Sequence, residues 1–146
     1  MYMGSALGVS STADLTFAVP DAIYLGRSVA SAGDVNGDGY ADIIVGENAW
    51  PTGSGGTGRA HVFLGAASGL ATTPATTLVG PAGLGGRFGE VVASAGDVNG
   101  DGYSDVIVGA PLALNAGRVY IFLGGRAGLA ESPVATLARP GSNLFG

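Results

Sequence analysis

Residues 29–46 read VASAGDVNGDGYADIIVG and residues 92–109 read VASAGDVNGDGYSDVIVG. The copies lie 63 residues apart and differ only at Ala41/Ser104 and Ile43/Val106. Self-similarity at such a period marks a repeat architecture, in which each copy is one supersecondary unit that needs neighbours to bury its core. Two fainter landmarks extend the pattern. Glycine, three residues, then glycine and an aliphatic residue occurs at Gly4/Gly8/Val9, Gly65/Gly69/Leu70 and Gly124/Gly128/Leu129. An apolar residue followed by glycine occurs at Leu25-Gly26, Phe88-Gly89 and Phe145-Gly146. The chain therefore divides into residues 1–24, the C-terminal half of a preceding unit; 25–87 and 88–142, two full units; and 143–146, the start of a further repeat.

Between the landmarks lie short β-branched or aromatic runs punctuated by Gly, Pro, Ser and Asn, the pattern of many short strands. Four strands are expected in each full unit: Ser28 to Ala32, Asp42 to Gly46, Ala60 to Leu64 and Ala75 to Val79, then Val91 to Ala95, Asp105 to Gly109, Arg118 to Leu123 and Val134 to Ala138. Two more, around Tyr2-Met3 and over Asp14 to Val19, match the third and fourth strands of a unit. A four-stranded antiparallel sheet of about 60 residues cannot bury both faces alone, and radial stacking of such sheets gives an all-β propeller. A β-solenoid is the alternative, but its coils are usually about 20–30 residues and lack one long acidic loop per repeat. Glycine, 28 of 146 residues, rules out a helical bundle. A hydrophobic share of 47% with 12% charged residues rules out disorder.

Each repeat carries D-x-N-x-D-G-x-x-D: Asp34, Asn36, Asp38, Gly39 and Asp42, then Asp97, Asn99, Asp101, Gly102 and Asp105. Three carboxylates so close repel by roughly 1–4 kcal/mol per pair at 4 Å, so a cation is expected among them. Calcium, with six to eight oxygen ligands and flexible geometry, suits such a loop better than magnesium. The side chains at positions 1, 3, 5 and 9 and the carbonyl at position 7, Tyr40 or Tyr103, are the expected donors, making two sites. Position 12 is Val45 or Val108 where an EF-hand requires glutamate, and strand-forming runs follow instead of a helix. The site therefore belongs to a hairpin loop. The plainer reading makes Asn36-Gly37 and Asn99-Gly100 simple turns with solvated acids, but a two-residue turn needs no regular acids.

On these residues the chain resembles the FG-GAP repeat of the integrin α-subunit type of β-propeller, which also occurs in bacterial secreted and surface proteins and in a glycosylphosphatidylinositol-specific phospholipase D. Phe88-Gly89 with Gly109-Ala110-Pro111 supplies the naming motif, and Asp97 to Asp105 matches the calcium loop. In the first repeat Leu25-Gly26 and Gly46-Glu47-Asn48 stand in those places, while the acidic loop is intact. The resemblance implies a ring of about seven blades with calcium in the loop joining the first and second strands.

Function follows by elimination and by resemblance. Net charge −5 with six arginines and no lysine provides no basic stripe for nucleic acid. No apolar run approaches the roughly 20 residues of a membrane helix, and no signal peptide is visible after Met1. The absence of cysteine excludes thiol catalysis and disulfides. Gly53-Ser54-Gly55-Gly56-Thr57-Gly58 matches a dinucleotide fingerprint but leads into a strand, not a helix. His61 reads as a packed or surface strand residue, and Trp50, in a longer loop on the rim opposite the acidic loops, either as a contact for a protein or glycan ligand or as a cover folded back over the blade edge. The expectation is a non-catalytic, extracellular or cell-surface binding, adhesion or assembly scaffold; the alternative is an accessory propeller of a secreted phospholipase or hydrolase. Two and a half blades leave faces open, so a homo-oligomer or completion by other propeller segments is expected.

Overall fold

The computed structural model describes residues 4–5, 8–9, 12–48, 56–80 and 86–138. A short hairpin pairs β1 (Gly4–Ser5) with β2 (Gly8–Val9). One antiparallel sheet follows in the order β3 (Leu25–Gly33), β4 (Asp42–Glu47), β5 (Arg59–Phe63) and β6 (Thr76–Val79). A second repeats it with β7 (Val91–Gly96), β8 (Asp105–Ala110), β9 (Arg118–Phe122) and β10 (Ala135–Ala138). A 3-10 turn spans Ala113–Asn115, between β8 and β9. All eight strands expected for the two full units are present, shifted at most by a few terminal residues. Among the described residues no helix is long and apolar enough to cross a membrane.

The central strands carry apolar side chains on both faces, the pattern of sheets built to pack on two sides, and one face of each blade is buried against the other. Ile44, Val62 and Leu78 of the first blade meet Val92, Val106, Val108, Tyr120 and Phe122 of the second in one buried cluster. Alternation sends Ile43 and Val45, and in the second blade Ile107, to the opposite faces. Phe88 is the keystone. It is buried, its ring centroid lies 5.5 Å from Tyr120 and 6.0 Å from Phe122, and its N–H donates to Thr57 O at 2.8 Å. The corner it forms with Gly89 runs so close to the first blade that a Cβ at Gly46 would strike the Gly89 carbonyl, and one at Gly58 the Phe88 carbonyl. This close approach, more than turn geometry, requires glycine there.

The acidic loops leave the sheets through paired bulges. Register shifts between Ser31 and Gly33, and between Ser94 and Gly96, where the glycines take φ of +76° and +73°. A left-handed glycine at a bulge bends the strand and re-aims the following loop. The blades are also stitched at this end: Ser104 N–H donates to Asp34 O at 2.8 Å, Asp34 N–H to Ser104 Oγ at 3.1 Å, and Gly125 N–H to Val35 O at 2.9 Å.

The N-terminal segment departs from expectation. Residues 14–19 form no strand, and Tyr2-Met3 lies outside the described residues. The segment is held by a ring contact: Phe17 packs on Phe63 with centroids 4.7 Å apart.

Candidate metal centre

The loop from β3 to β4 folds around its first aspartate. Asp34 Oδ1 accepts N–H bonds from Gly37 at 2.7 Å and Asp38 at 3.1 Å, and Oδ2 accepts one from Gly39 at 2.7 Å. Asn36 Oδ1 accepts the Asp38 N–H at 3.2 Å while its Nδ2 donates to Asp38 Oδ2 at 2.9 Å, and Asp38 Oδ1 accepts the Tyr40 N–H at 2.9 Å. The second loop repeats every bond through Asp97, Asn99, Asp101 and Tyr103, with distances equal to within 0.1 Å. Gly37, Gly39, Gly100 and Gly102 all have φ between +74° and +91°, which turns successive amides inward. At Asp97 the amide of Gly102 is the foremost cause of a carboxyl pKa below its ordinary value, with those of Gly100, Asp101 and Asn99 adding to it.

The ninth position behaves differently. Asp42 is fully buried, and its carboxylate ties the loop to the next hairpin by accepting Val35 N–H at Oδ2 and Gly65 N–H at Oδ1, both at 2.8 Å. Asp105 does the same with Val98 at 2.8 Å and Gly124 at 2.9 Å. Burial pushes the Asp42 pKa up, against the pull of the two amides. Asp42 and Asp105 thus anchor the loop base.

The donor set fits a hard cation. All side-chain donors are oxygen, and a carboxylate has about four lone-pair sites, of which Asp34 uses three while Asp38 and Asp42 each use two. Among the described residues, however, no three acidic or imidazole side chains converge into a cage that would hold a metal ion. The carboxylates instead orient the loop's own amides. Tyr103 has a further contact that the sequence did not reveal: its ring lies against Gly37, so the second loop's tyrosine packs on the first loop.

A buried polar cluster on the first blade also escaped sequence reading. Glu47 accepts Arg59 Nε at 2.8 Å and an Arg59 terminal nitrogen at 3.0 Å, the Ile23 N–H at 2.8 Å and His61 Nε2 at 2.9 Å. An ionised carboxylate only accepts, so His61 Nε2 carries the proton, and Nδ1 receives the Thr77 hydroxyl at 3.1 Å. Burial raises the Glu47 pKa but is outweighed by Arg59, His61 and the Ile23 amide, which leave it below its ordinary value. Burial holds the His61 pKa below its own. Glu47 and His61 are fully buried, so the cluster braces the entry into β3 and presents no reactive group to solvent. Its signal was the departure at Gly46-Glu47-Asn48, paired with histidine where the second repeat has Tyr120. Trp50 lies outside the described residues.

Comparison with known proteins agrees with this geometry. The chain is 39% identical over 131 residues to integrin alpha-PS5 of Drosophila melanogaster, covering 84% of this chain and 13% of that protein. It is 40% identical over 126 residues to integrin alpha-IIb of Mus musculus, covering 82% and 12%. Integrin alpha-4 of Xenopus laevis is 36% identical over 110 residues, covering 75% and 10%. The chain thus spans about an eighth or less of the length of these relatives. The FG-GAP repeat profile matches residues 25–63 and 88–122, which hold both corners and both acidic loops. By that match, and by the two four-stranded sheets that carry it, the chain belongs to the FG-GAP repeat family.

Proposed function

We propose that the chain is a calcium-binding β-propeller module of an extracellular or cell-surface adhesion protein, acting as a non-catalytic scaffold for binding or assembly. The observation that carries this reading is the duplicated loop, identical bond for bond in two blades. Each loop offers Asp34, Asn36, Asp38, the Tyr40 carbonyl and Asp42, or Asp97, Asn99, Asp101, the Tyr103 carbonyl and Asp105. Bound calcium would neutralise the clustered charge and brace the loop. Because the first loop touches Ser104, Tyr103 and Gly125 of the next blade, loop order is coupled to the blade interface.

Affinity in the extracellular range, roughly 10⁻⁴–10⁻³ M, is expected of a loop without a bidentate glutamate. Partners are further propeller segments and a protein or glycan ligand, with Trp50 the proposed contact. Calorimetric titration with calcium, then magnesium, tests the reading: two calcium equivalents per chain are expected, and no heat at millimolar calcium would refute it.

A further inference from the structure

We propose that the two acidic loops form one coupled unit, in which calcium bound to either loop tightens the other through Ser104 and the Tyr103 ring. The inference rests on the calcium reading above and adds to it how the two sites regulate each other. Ser104 sits between two expected donors of the second loop, the Tyr103 carbonyl and the Asp105 carboxylate. Its N–H donates to Asp34 O at 2.8 Å, and its Oγ accepts the Asp34 N–H at 3.1 Å. Both backbone groups of the first loop's leading donor are thus held by the second loop. The Tyr103 ring meanwhile lies against Gly37, between the donors Asn36 and Asp38.

A second route joins the loop bases. Asp42 Oδ2 accepts the Val35 N–H at 2.8 Å, and the Val35 carbonyl accepts the Gly125 N–H at 2.9 Å. The adjoining Gly124 donates its N–H to Asp105 Oδ1 at 2.9 Å. The two ninth-position carboxylates are therefore linked by a continuous run of hydrogen bonds. A Cβ at Gly124 would strike the Ser104 and Val35 carbonyls, so the bases interlock at close quarters. Close packing of this kind transmits a displacement instead of absorbing it.

Calcium in one loop would fix donors whose backbone also holds the donors of the other. The second ion then finds part of the ordering already done, which gives positive coupling without a change of shape. By linkage the effect is equal in both directions. A bound cation also weakens the field that draws in the next, but Asp34, Asp38, Asp97 and Asp101 lie at or near the surface, where about 0.15 M salt screens charges over roughly 8 Å. The mechanical contribution therefore sets the sign. Ala41 stands where the second loop has Ser104, one of only two differences between the repeated stretches. The side-chain bond to Asp34 thus belongs to this junction and not to the repeat as such.

Calorimetric titration of the full chain with calcium in about 0.15 M salt tests this. Two equivalents should bind with a Hill coefficient of about 1.4–1.8, the value that coupling of about 5–150-fold gives for two equal sites. Asp38→Ala and Asp101→Ala, each leaving one intact loop, should bind one equivalent with a midpoint weaker than the parent's by about 2–12-fold, the square root of that factor. In Asp101→Ala, calcium on the first loop should slow hydrogen exchange at the Ser104 and Gly125 amides of the second blade. Ser104→Ala should lower the Hill coefficient toward 1 with two equivalents still bound. Tyr103→Ala should lower it too, and repeats the test should Ser104→Ala fail to fold. Two equivalents bound with a Hill coefficient of 1, and single-loop variants at the parent's midpoint, would overturn the coupling and leave the calcium reading standing. Folded Ser104→Ala and Tyr103→Ala variants that both keep the parent's Hill coefficient would overturn the proposed route. No binding at millimolar calcium would overturn both readings.

Discussion

Replacing Asp42 separates the architectural and metal-binding parts of the loop. In Asp42→Ala the buried amides of Val35 and Gly65 lose their acceptor together. Each orphaned buried N–H costs about 1–3 kcal/mol, giving about 2–6 kcal/mol in all. Removing a carboxylate whose burial is itself unfavourable returns part of that, so about 2–4 kcal/mol is the working figure. At about 3 °C per kcal/mol for a domain of this size, the midpoint should fall by roughly 6–12 °C. The assay is thermal melting by circular dichroism, run in chelator so that no metal contributes. Asp38→Ala, on the exposed part of the loop, is the control: it should move the chelator melt by under about 1 kcal/mol, as exposed groups do. An Asp42→Ala melt in chelator that matches the parent would refute the anchoring role, and with it the inference that the ninth position holds the loop base before it holds any metal.

In calcium the control should change character: Asp38→Ala and Asp101→Ala should each remove one site's share of the stabilisation, up to about 2.7 kcal/mol at 100 times the dissociation constant, read as a smaller calcium-dependent rise in midpoint. Glu47→Ala removes the acceptor shared by Arg59, His61 and the Ile23 amide and should cost about 3–5 kcal/mol, measured by urea denaturation. Acid should weaken the fold in two steps. The His61 pKa lies below its ordinary value in the native state, so as pH falls below 6.5 the unfolded chain takes up that proton before the folded one does; the Glu47 contribution, present above 4.5, is then lost as pH falls through its depressed folded value. His61→Gln should flatten the upper step in a pH series of denaturation midpoints. Phe88→Ala should cost about 3–5 kcal/mol and exceed Leu25→Ala, because Phe88 fills the interface between blades while Leu25 lines an open groove.

The strands of the full blades were legible because a strand flanked by Gly, Asn and Pro needs only local chemistry to begin and end, and the repeat supplied a second reading of each boundary. The segment at 14–19 read equally well as a strand and is not one, because propensity sets what a stretch can form and the rest of the fold sets what it does form. The Glu47 cluster was hidden for a related reason. Glu47 lies 12 residues from Arg59 and 14 from His61, and only antiparallel registers that set Glu47 opposite Arg59 and His61 opposite Thr77 bring four polar side chains to one face.

Sequence alone determined the repeat, the strand content and the all-oxygen loop chemistry, since each depends on residue type and spacing within a few positions. Tertiary structure decided what those residues do: Asp42 and Asp105 brace the loop base through amides of neighbouring segments, Tyr103 packs on the other blade's loop, and Gly46 admits a carbonyl from the next corner. The same residues at the same repeat positions, Ile44 and Ile107, end in a closed core and an open socket. The difference lies in the neighbour: burial is a property of the packed pair of blades, which no local stretch of chain encodes.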